Sequence, residues 1–353
     1  MQKLRFTLKI LICTSMILLT SCAGRRVKNH ADESQPEVMG PVIPSENVEE
    51  QPVQPSESYG PVMPEGGVIP AEPATATSVS TATATATDTA TAVAAPVNAK
   101  LCVVLGPGMA KAMAEAAVLA SLKKAKIPVH CVVGTEMGAV VGALYAFSNG
   151  STNSLQWQLF KLHKDTYLNF PMLSLNEPKS TGRKLNEFLR GAFKDKKIEE
   201  LPIAFATTAV DDERETSVEL TRGDLADALS ASLAVPGVFD AWKTRDGLFH
   251  SSALSDPAPV ELARKLGGNF IILVDVLSDS AAKSRFQKLF APARSLLKLQ
   301  RKEASFSIMV NTSAIPFDDF SRQGEILAAG TAATERALPE LKAAWEKFSA
   351  GTR

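Results

Sequence analysis

The chain has 353 residues, enough for two or three domains of roughly 100–200 residues each, but its composition changes sharply along its length. Charge balances overall at 38 basic and 38 acidic residues; residues 1–98 hold 6 and 10 of these, leaving 32 and 28 for residues 99–353. A net of +4 over so long a stretch excludes the dense basic face of a nucleic-acid-binding protein. Four cysteines exclude a disulfide scaffold.

Lys3, Arg5 and Lys9 precede an apolar run from Ile10 to Leu19. That run is too short to span a bilayer, which needs about 20 residues, and fits the apolar core of an export signal. It ends Leu19-Thr20-Ser21-Cys22, which resembles a bacterial lipobox. Residues 1–22 are therefore expected to be a lipoprotein signal ending at a lipidated Cys22. Ala23 follows instead of an aspartate, which by resemblance to enterobacterial lipoproteins implies an outer-membrane anchor with the rest of the chain periplasmic or surface-facing.

Residues 23–98 contain a single aromatic, Tyr59, and no Lys or Arg after Lys28. So little apolar surface does not offset the entropy of ordering a backbone, and the segment is expected to be a disordered linker. Gly40-Pro41-Val42-Ile43-Pro44 recurs as Gly60-Pro61-Val62-Met63-Pro64, and alternating Ala and Thr fill much of Ala74 to Ala92. A coil of this length spans on the order of 50 Å.

Residues 99–353 alternate between strand and helix patterns. Leu101 to Leu105 is a continuously apolar run closed by Gly106-Pro107-Gly108, the pattern of a buried parallel strand. A helix is expected over Met109 to Ala125, a strand over Val129 to Val133, and a helix from Gly138 onward, whose small residues allow close packing. Ile203 to Thr208 and Phe270 to Val276 read as further strands, and Leu225 to Leu233 as a helix. Asp246-Gly247 marks a hairpin turn. Phe286, Leu289, Phe290, Ala293, Leu296 and Leu297 fall near helical spacing, interrupted by Pro292, with Lys283, Arg285, Lys288, Arg294, Lys298, Arg301 and Lys302 opposite them. This is a surface helix whose basic face is either solvated or docks on anionic lipid. The whole implies one α/β domain with a mostly parallel sheet and helices on both faces.

The motifs carry a resemblance. Val104-Leu105-Gly106-Pro107-Gly108-Met109-Ala110-Lys111 and Val133-Gly134-Thr135-Glu136-Met137-Gly138-Ala139 resemble the bacterial patatin-like phospholipase family. Ala231-Ser232-Leu233-Ala234-Val235-Pro236-Gly237, Asp256-Pro257-Ala258-Pro259-Val260 and Ile272-Leu273-Val274-Asp275 resemble its later segments, in the same order. The resemblance implies lipid acyl hydrolysis by a Ser–Asp dyad without a cofactor. The serine sits in a Gly-x-Ser-x-Gly strand-to-helix elbow, and a glycine loop supplies amides for the oxyanion.

This sequence departs from that pattern at both catalytic positions. The elbow is Gly134-Thr135-Glu136-Met137-Gly138, and the family aspartate falls on Ser251. Gly106, Gly108, Met109 and Lys111 occupy oxyanion-loop positions, though Pro107 removes one N–H and Ala112 stands where the family has glycine. Loss of both the hydroxyl and the base points to a pseudoenzyme that binds lipid or an envelope protein. Glu136, at a helix N-terminus, is then expected to turn its carboxylate onto the Gly108 and Met109 amides.

Two alternatives remain beside this reading. One is an active hydrolase with Glu136 as nucleophile, or with His250 activating Ser251 or Ser252. The other is a dinucleotide-binding domain on Gly106-x-Gly108 with Glu136 as its acidic residue. His130, His163 and His250 lack metal-ligand spacing, so no metal is expected. Cys102 and Cys131 are expected to be buried free thiols on neighbouring strands. Trp157, Phe160, Tyr167 and Phe170 form an aromatic cluster that serves either as core or lid packing or as a lipid-facing groove.

Overall fold

The computed structural model describes residues 98–169, 179–277 and 284–351. Cys22, the linker, Phe170 and Lys283 lie outside the described residues.

The first expected strand is β1, Leu101–Leu105, buried along its whole length as a strand with helices on both faces must be. A 3-10 turn over Met109–Met113 precedes α1 (Ala114–Lys124), so the expected Met109 helix starts as a tighter turn. Met109 enters that turn at φ 50°, a value closed to regular α-helix. β2 covers Cys131–Gly134 and α2 covers Met137–Phe147. Two short helices follow, α3 (Thr152–Phe160) and α4 (Lys164–Tyr167), and then α5 (Arg183–Phe193). β3 (Ala204–Asp211) runs three residues past its expected end and pairs with β4 (Thr216–Leu220).

α6 spans Leu225–Leu233, started by Asp224, whose side chain accepts from the Asp227 N–H at 2.8 Å. Around the Asp246-Gly247 turn, β5 (Trp242–Lys243) pairs antiparallel with β6 (Leu248–Ser251). α7 (Val260–Lys265) leads into β7 (Phe270–Asp275). The basic segment is two helices, α8 (Arg285–Leu289) and α9 (Ala291–Gln300), divided near the expected interruption at Pro292, which sits in the first turn of the second. β8 (Phe306–Met309) and the long α10 (Gln323–Gly351) complete the domain.

The sheet order is β5-β6-β3-β2-β1-β7-β8, with β4 also on β3. β3, β2, β1, β7 and β8 are mutually parallel, as expected, while β4 and β6 pair antiparallel with β3 and β5 pairs antiparallel with β6. β2 pairs with Ala204–Thr207 of β3, and β6 pairs with Ala209–Asp211. Thr207 and Ala209 also pair with β4, so β2 and β6 lie end to end along the same edge of β3. That arrangement brings Ser251, the last residue of β6, toward the elbow at the end of β2.

Strand alternation separates the two faces. Leu105 and Val132 meet α2, where a Cβ on Gly142 would come within 2.8 Å of the Val132 side chain. Cys102 and Cys131 point to the other face, against the segment after α7, where a Cβ on Gly268 would meet the Cys102 sulfur at 2.6 Å. The two cysteines are direct register partners with Cα atoms 4.6 Å apart, and they form a disulfide. The expectation of free thiols is thereby corrected: opposed residues of one register pair on one face lie within bridging distance even in a parallel pair. Among the described residues no helix is long and apolar enough to cross a membrane.

The bridge closes a loop of 29 residues, which by loop entropy is worth about 3–4 kcal/mol. Reduction of the full chain is expected to raise its intact mass by two hydrogens and to lower its denaturant midpoint; an unchanged mass would remove the bridge.

Candidate functional site

The turn from β2 into α2 is tight enough to require glycine on both sides. A Cβ on Gly134 would meet the Gly138 carbonyl oxygen at 2.5 Å and the Ala139 nitrogen at 2.6 Å. One on Gly138 would meet the Leu105 carbonyl oxygen at 2.8 Å and Glu115 Oε2 at 2.9 Å. Glu136 sits at the tip with φ 53° and ψ −125°, a backbone conformation that costs a non-glycine residue about 1–3 kcal/mol. Neighbours hold it there. Its N–H donates to Ser232 Oγ (3.1 Å), which is 2.8 Å from Thr207 Oγ1, and the Thr135 hydroxyl donates to the Pro257 carbonyl at 2.6 Å.

Glu136 is fully buried, and its carboxyl closes onto the loop after β1. Oε2 accepts from the Gly108 N–H at 2.8 Å and from the Met109 N–H at 2.9 Å. Tyr167, at the end of α4, donates its hydroxyl to Oε1. The Tyr167 ring is itself fully buried, edge-on to Phe239 at 5.4 Å and tilted on Phe320 at 4.9 Å. Burial pushes the Glu136 carboxyl above its usual range, while the Tyr167 hydroxyl and the Gly108, Met137 and Met109 amides pull it back. The Tyr167 hydroxyl is pushed well above its usual range by burial and by the Glu136 charge.

A second acid stands behind the elbow. Glu115, in the first turn of α1, is completely buried, and neither carboxyl oxygen has a hydrogen-bond partner of normal geometry. Burial holds it well above the usual carboxylate range; the Gly106 backbone opposes that, and the Glu136 and Asp275 charges add to it. Lys111 is buried with Nζ 4.3 Å from the centre of the Phe317 ring, and burial, then the nearby Arg294 charge, lower its pKa to about 8.

The other candidates have different hydrogen-bond partners from Glu136. The Ser251 hydroxyl accepts from the Ala253 N–H at 3.2 Å, and Ser252 Oγ is 2.7 Å from Thr208 Oγ1. His250 Nδ1 lies 3.1 Å from Asp212 Oδ1, because strand alternation turns His250 away from the face of Ser251. Asp246 is an exposed turn residue. In the dinucleotide reading Glu136 would hold a ribose; it occupies instead the very amides a pyrophosphate would need. Trp157 and Phe160 are 64% and 49% exposed, so they do not cluster with the buried Tyr167. Among the described residues no His, Cys, Asp and Glu group is arranged to hold a metal ion.

Sequence reasoning missed two participants. Tyr167 carried no signal beyond being aromatic. Glu115 did have one: it is the lone acid in the Ala-rich first half of its helix.

The family model for patatin-like phospholipase matches residues 103–317. The chain belongs to this family. Membership supports a lipid-hydrolase type of function. Mouse patatin-like phospholipase domain-containing protein 6 is 28% identical over 181 residues, which are 50% of this chain and 13% of that protein. An uncharacterized NTE family protein of Mycobacterium tuberculosis is 25% identical over 194 residues, 53% of this chain and 52% of its own. Among solved structures, VipD from Legionella pneumophila superposes with a TM-score of 0.45 at 12% identity, covering 69% of this chain and 67% of that one.

Removing the hydroxyl with Tyr167→Phe strips a buried carboxyl of a donor, and is expected to cost this patatin-like domain about 1–3 kcal/mol in chemical denaturation at neutral pH. Both Glu115 and Glu136 are held above their ordinary value of 4.5 in the folded state. Between that value and their folded values the native chain binds protons the unfolded chain has released. Their contribution is fully present below 4.5 and is lost as pH rises through the folded pKa values. Glu115→Gln is expected to flatten that decline in a denaturation series across pH; an unaltered slope would mean Glu115 titrates normally.

Proposed function

We propose that this chain is a bacterial outer-membrane lipoprotein, anchored through acyl chains on Cys22, whose patatin-like domain has lost the Ser–Asp dyad. It binds lipid or a partner protein in the envelope without hydrolysing it. The observation that carries this reading is the pair of hydrogen bonds from the Gly108 and Met109 amides to Glu136 Oε2.

Acyl transfer at such an elbow requires three things of the protein: an alcohol that attacks, a base that takes its proton, and amide donors left open for the developing oxyanion. Glu136 supplies no alcohol and fills the amides with its own oxygen. A substrate carbonyl oxygen therefore has no donors to enter. Ser251, at the position the resemblance gives to the aspartate, has no carboxylate to offer, and its hydroxyl oxygen faces the Ala253 N–H. The Glu136 oxygen is the internal counterpart of the reaction intermediate, and Tyr167 seals it from the opposite side.

A fluorophosphonate probe is expected to leave the natural chain unlabelled, and the chain is expected to release no fatty acid from phospholipid. The Glu136→Ser, Ser251→Asp double variant is expected to gain both, with the label at position 136. Labelling of any cleft side chain in the natural protein, or fatty-acid release abolished by Glu136→Ala, would overturn the reading. The anchor is tested separately: Cys22→Ser is expected to abolish incorporation of radiolabelled palmitate and to release the chain from the membrane fraction.

A further inference from the structure

At the C-terminal ends of β7 and β8 lies a cleft of about 470 Å³, separate from the elbow. Ligands of α/β folds gather at this end of a parallel sheet. Asp275, at the end of β7, together with Asn311 and Ser313 after β8, forms one wall, and α9 forms the other. From α9 and the residue that follows it come Arg294, Lys298 and Arg301. Their spacing of four and then three residues stacks them on one helical face, where like charges repel.

The acid in the cleft does not neutralise them. Asp275 is 3% exposed and already committed: Oδ2 pairs with Arg301 at 3.2 Å, and Oδ1 accepts from the Leu277 N–H at 2.8 Å. Lys298 is exposed and forms no ion pair among the described residues. Arg294 gives Nη2 to the Gln287 carbonyl at 3.3 Å, while its Nε is buried and donates to no acceptor. A buried guanidinium N–H without an acceptor is uncommon, and the guanidinium that carries it lines the cleft. Asn311 turns Oδ1 to the Ser313 N–H at 3.1 Å, which leaves its amide nitrogen as one more donor.

We propose that this cleft binds a phosphate group, held by Arg294 and Lys298 and bordered by the Asp275–Arg301 pair. Both free phosphate and the phosphodiester of a lipid headgroup have the required chemistry. Planar guanidinium donors with a flexible ammonium beside them match tetrahedral anionic oxygens. Met309, 56% exposed, lines the cleft beside the cationic groups and provides apolar surface where an acyl chain would leave a headgroup. The proposal goes beyond the elbow reading and does not depend on whether the elbow is silent.

The test titrates the full chain with inorganic phosphate and, separately, with dihexanoyl phosphatidylglycerol below its micelle concentration, followed by calorimetry. Saturable binding that weakens with added salt is expected for at least one of the two. Arg294→Gln with Lys298→Gln should weaken it about tenfold or more. Lys298→Gln alone, at an exposed position that folding does not need, should weaken it several-fold. Lys342→Gln with Lys347→Gln, on α10, removes the same charge elsewhere and should change nothing. Phosphate binding that is lost in the cleft variants assigns the free anion, and binding of the short-chain lipid alone assigns the headgroup. No saturable binding of either, or binding that survives both cleft variants, overturns the proposal. The fluorophosphonate result is independent of every arm, so the two readings fail separately.

Discussion

One buried carboxyl group joins three parts of the chain that are distant in sequence. Glu136 Oε2 draws together the loop after β1 and the elbow after β2, and Tyr167 clamps the remaining oxygen from α4. Both backbones it joins are strained: Glu136 has φ 53° and Met109 has φ 50°, and neither is glycine. Conformations of this kind persist only where surroundings over-determine them. Two amide donors and a phenol also do what is needed to keep an acid out of water, since a buried carboxyl without partners is costly. Glu115 is the internal contrast. It is equally buried and has no hydrogen-bond partner of normal geometry, so burial pushes its pKa well up and disfavours its charged form.

The sheet makes this meeting possible. β1 and β2 are adjacent parallel strands, so their C-terminal loops emerge side by side at one end. Gly134 and Gly138 let α2 start almost on top of the β1 loop; a side chain at either would force the backbones apart. At the far side, β6 continues the line of β2 along β3, which brings Ser251 to the same end of the sheet from a hairpin more than 100 residues later. Elements remote in sequence thus converge through strand order alone.

Much of this was legible from residue pattern. β1 and α6 fall where the residue pattern puts them, and the flanking glycines mark the elbow because no other residue fits there. What escaped depends on tertiary partners. Tyr167 acquires its role from Phe239, Phe320 and Glu136, none of them near it in sequence. The cysteine bridge depends on register, which a strand pattern does not reveal. α10 was hidden because Pro339 is a stop signal in sequence, yet its 29-residue span continues through it; Ile326, Gly330, Ala333 and Leu341 keep it seated, with Gly330 set directly on the start of α1.

A strained loop with inward-facing amides is an anion site that needs an occupant. In a hydrolase that occupant is transient, and between turnovers the amides fall to water. On the proposed reading, a carboxylate at the elbow is permanently in place and costs no encounter entropy, so an exchange of alcohol for acid also settles the loop. Under this reading the fold is kept because the acid stabilises what the alcohol left open. Any ligand must then be met elsewhere on the domain. The β7–β8 end satisfies that condition: it lies on the opposite side of β1 from the elbow strand, and its arginine has an N–H still lacking an acceptor.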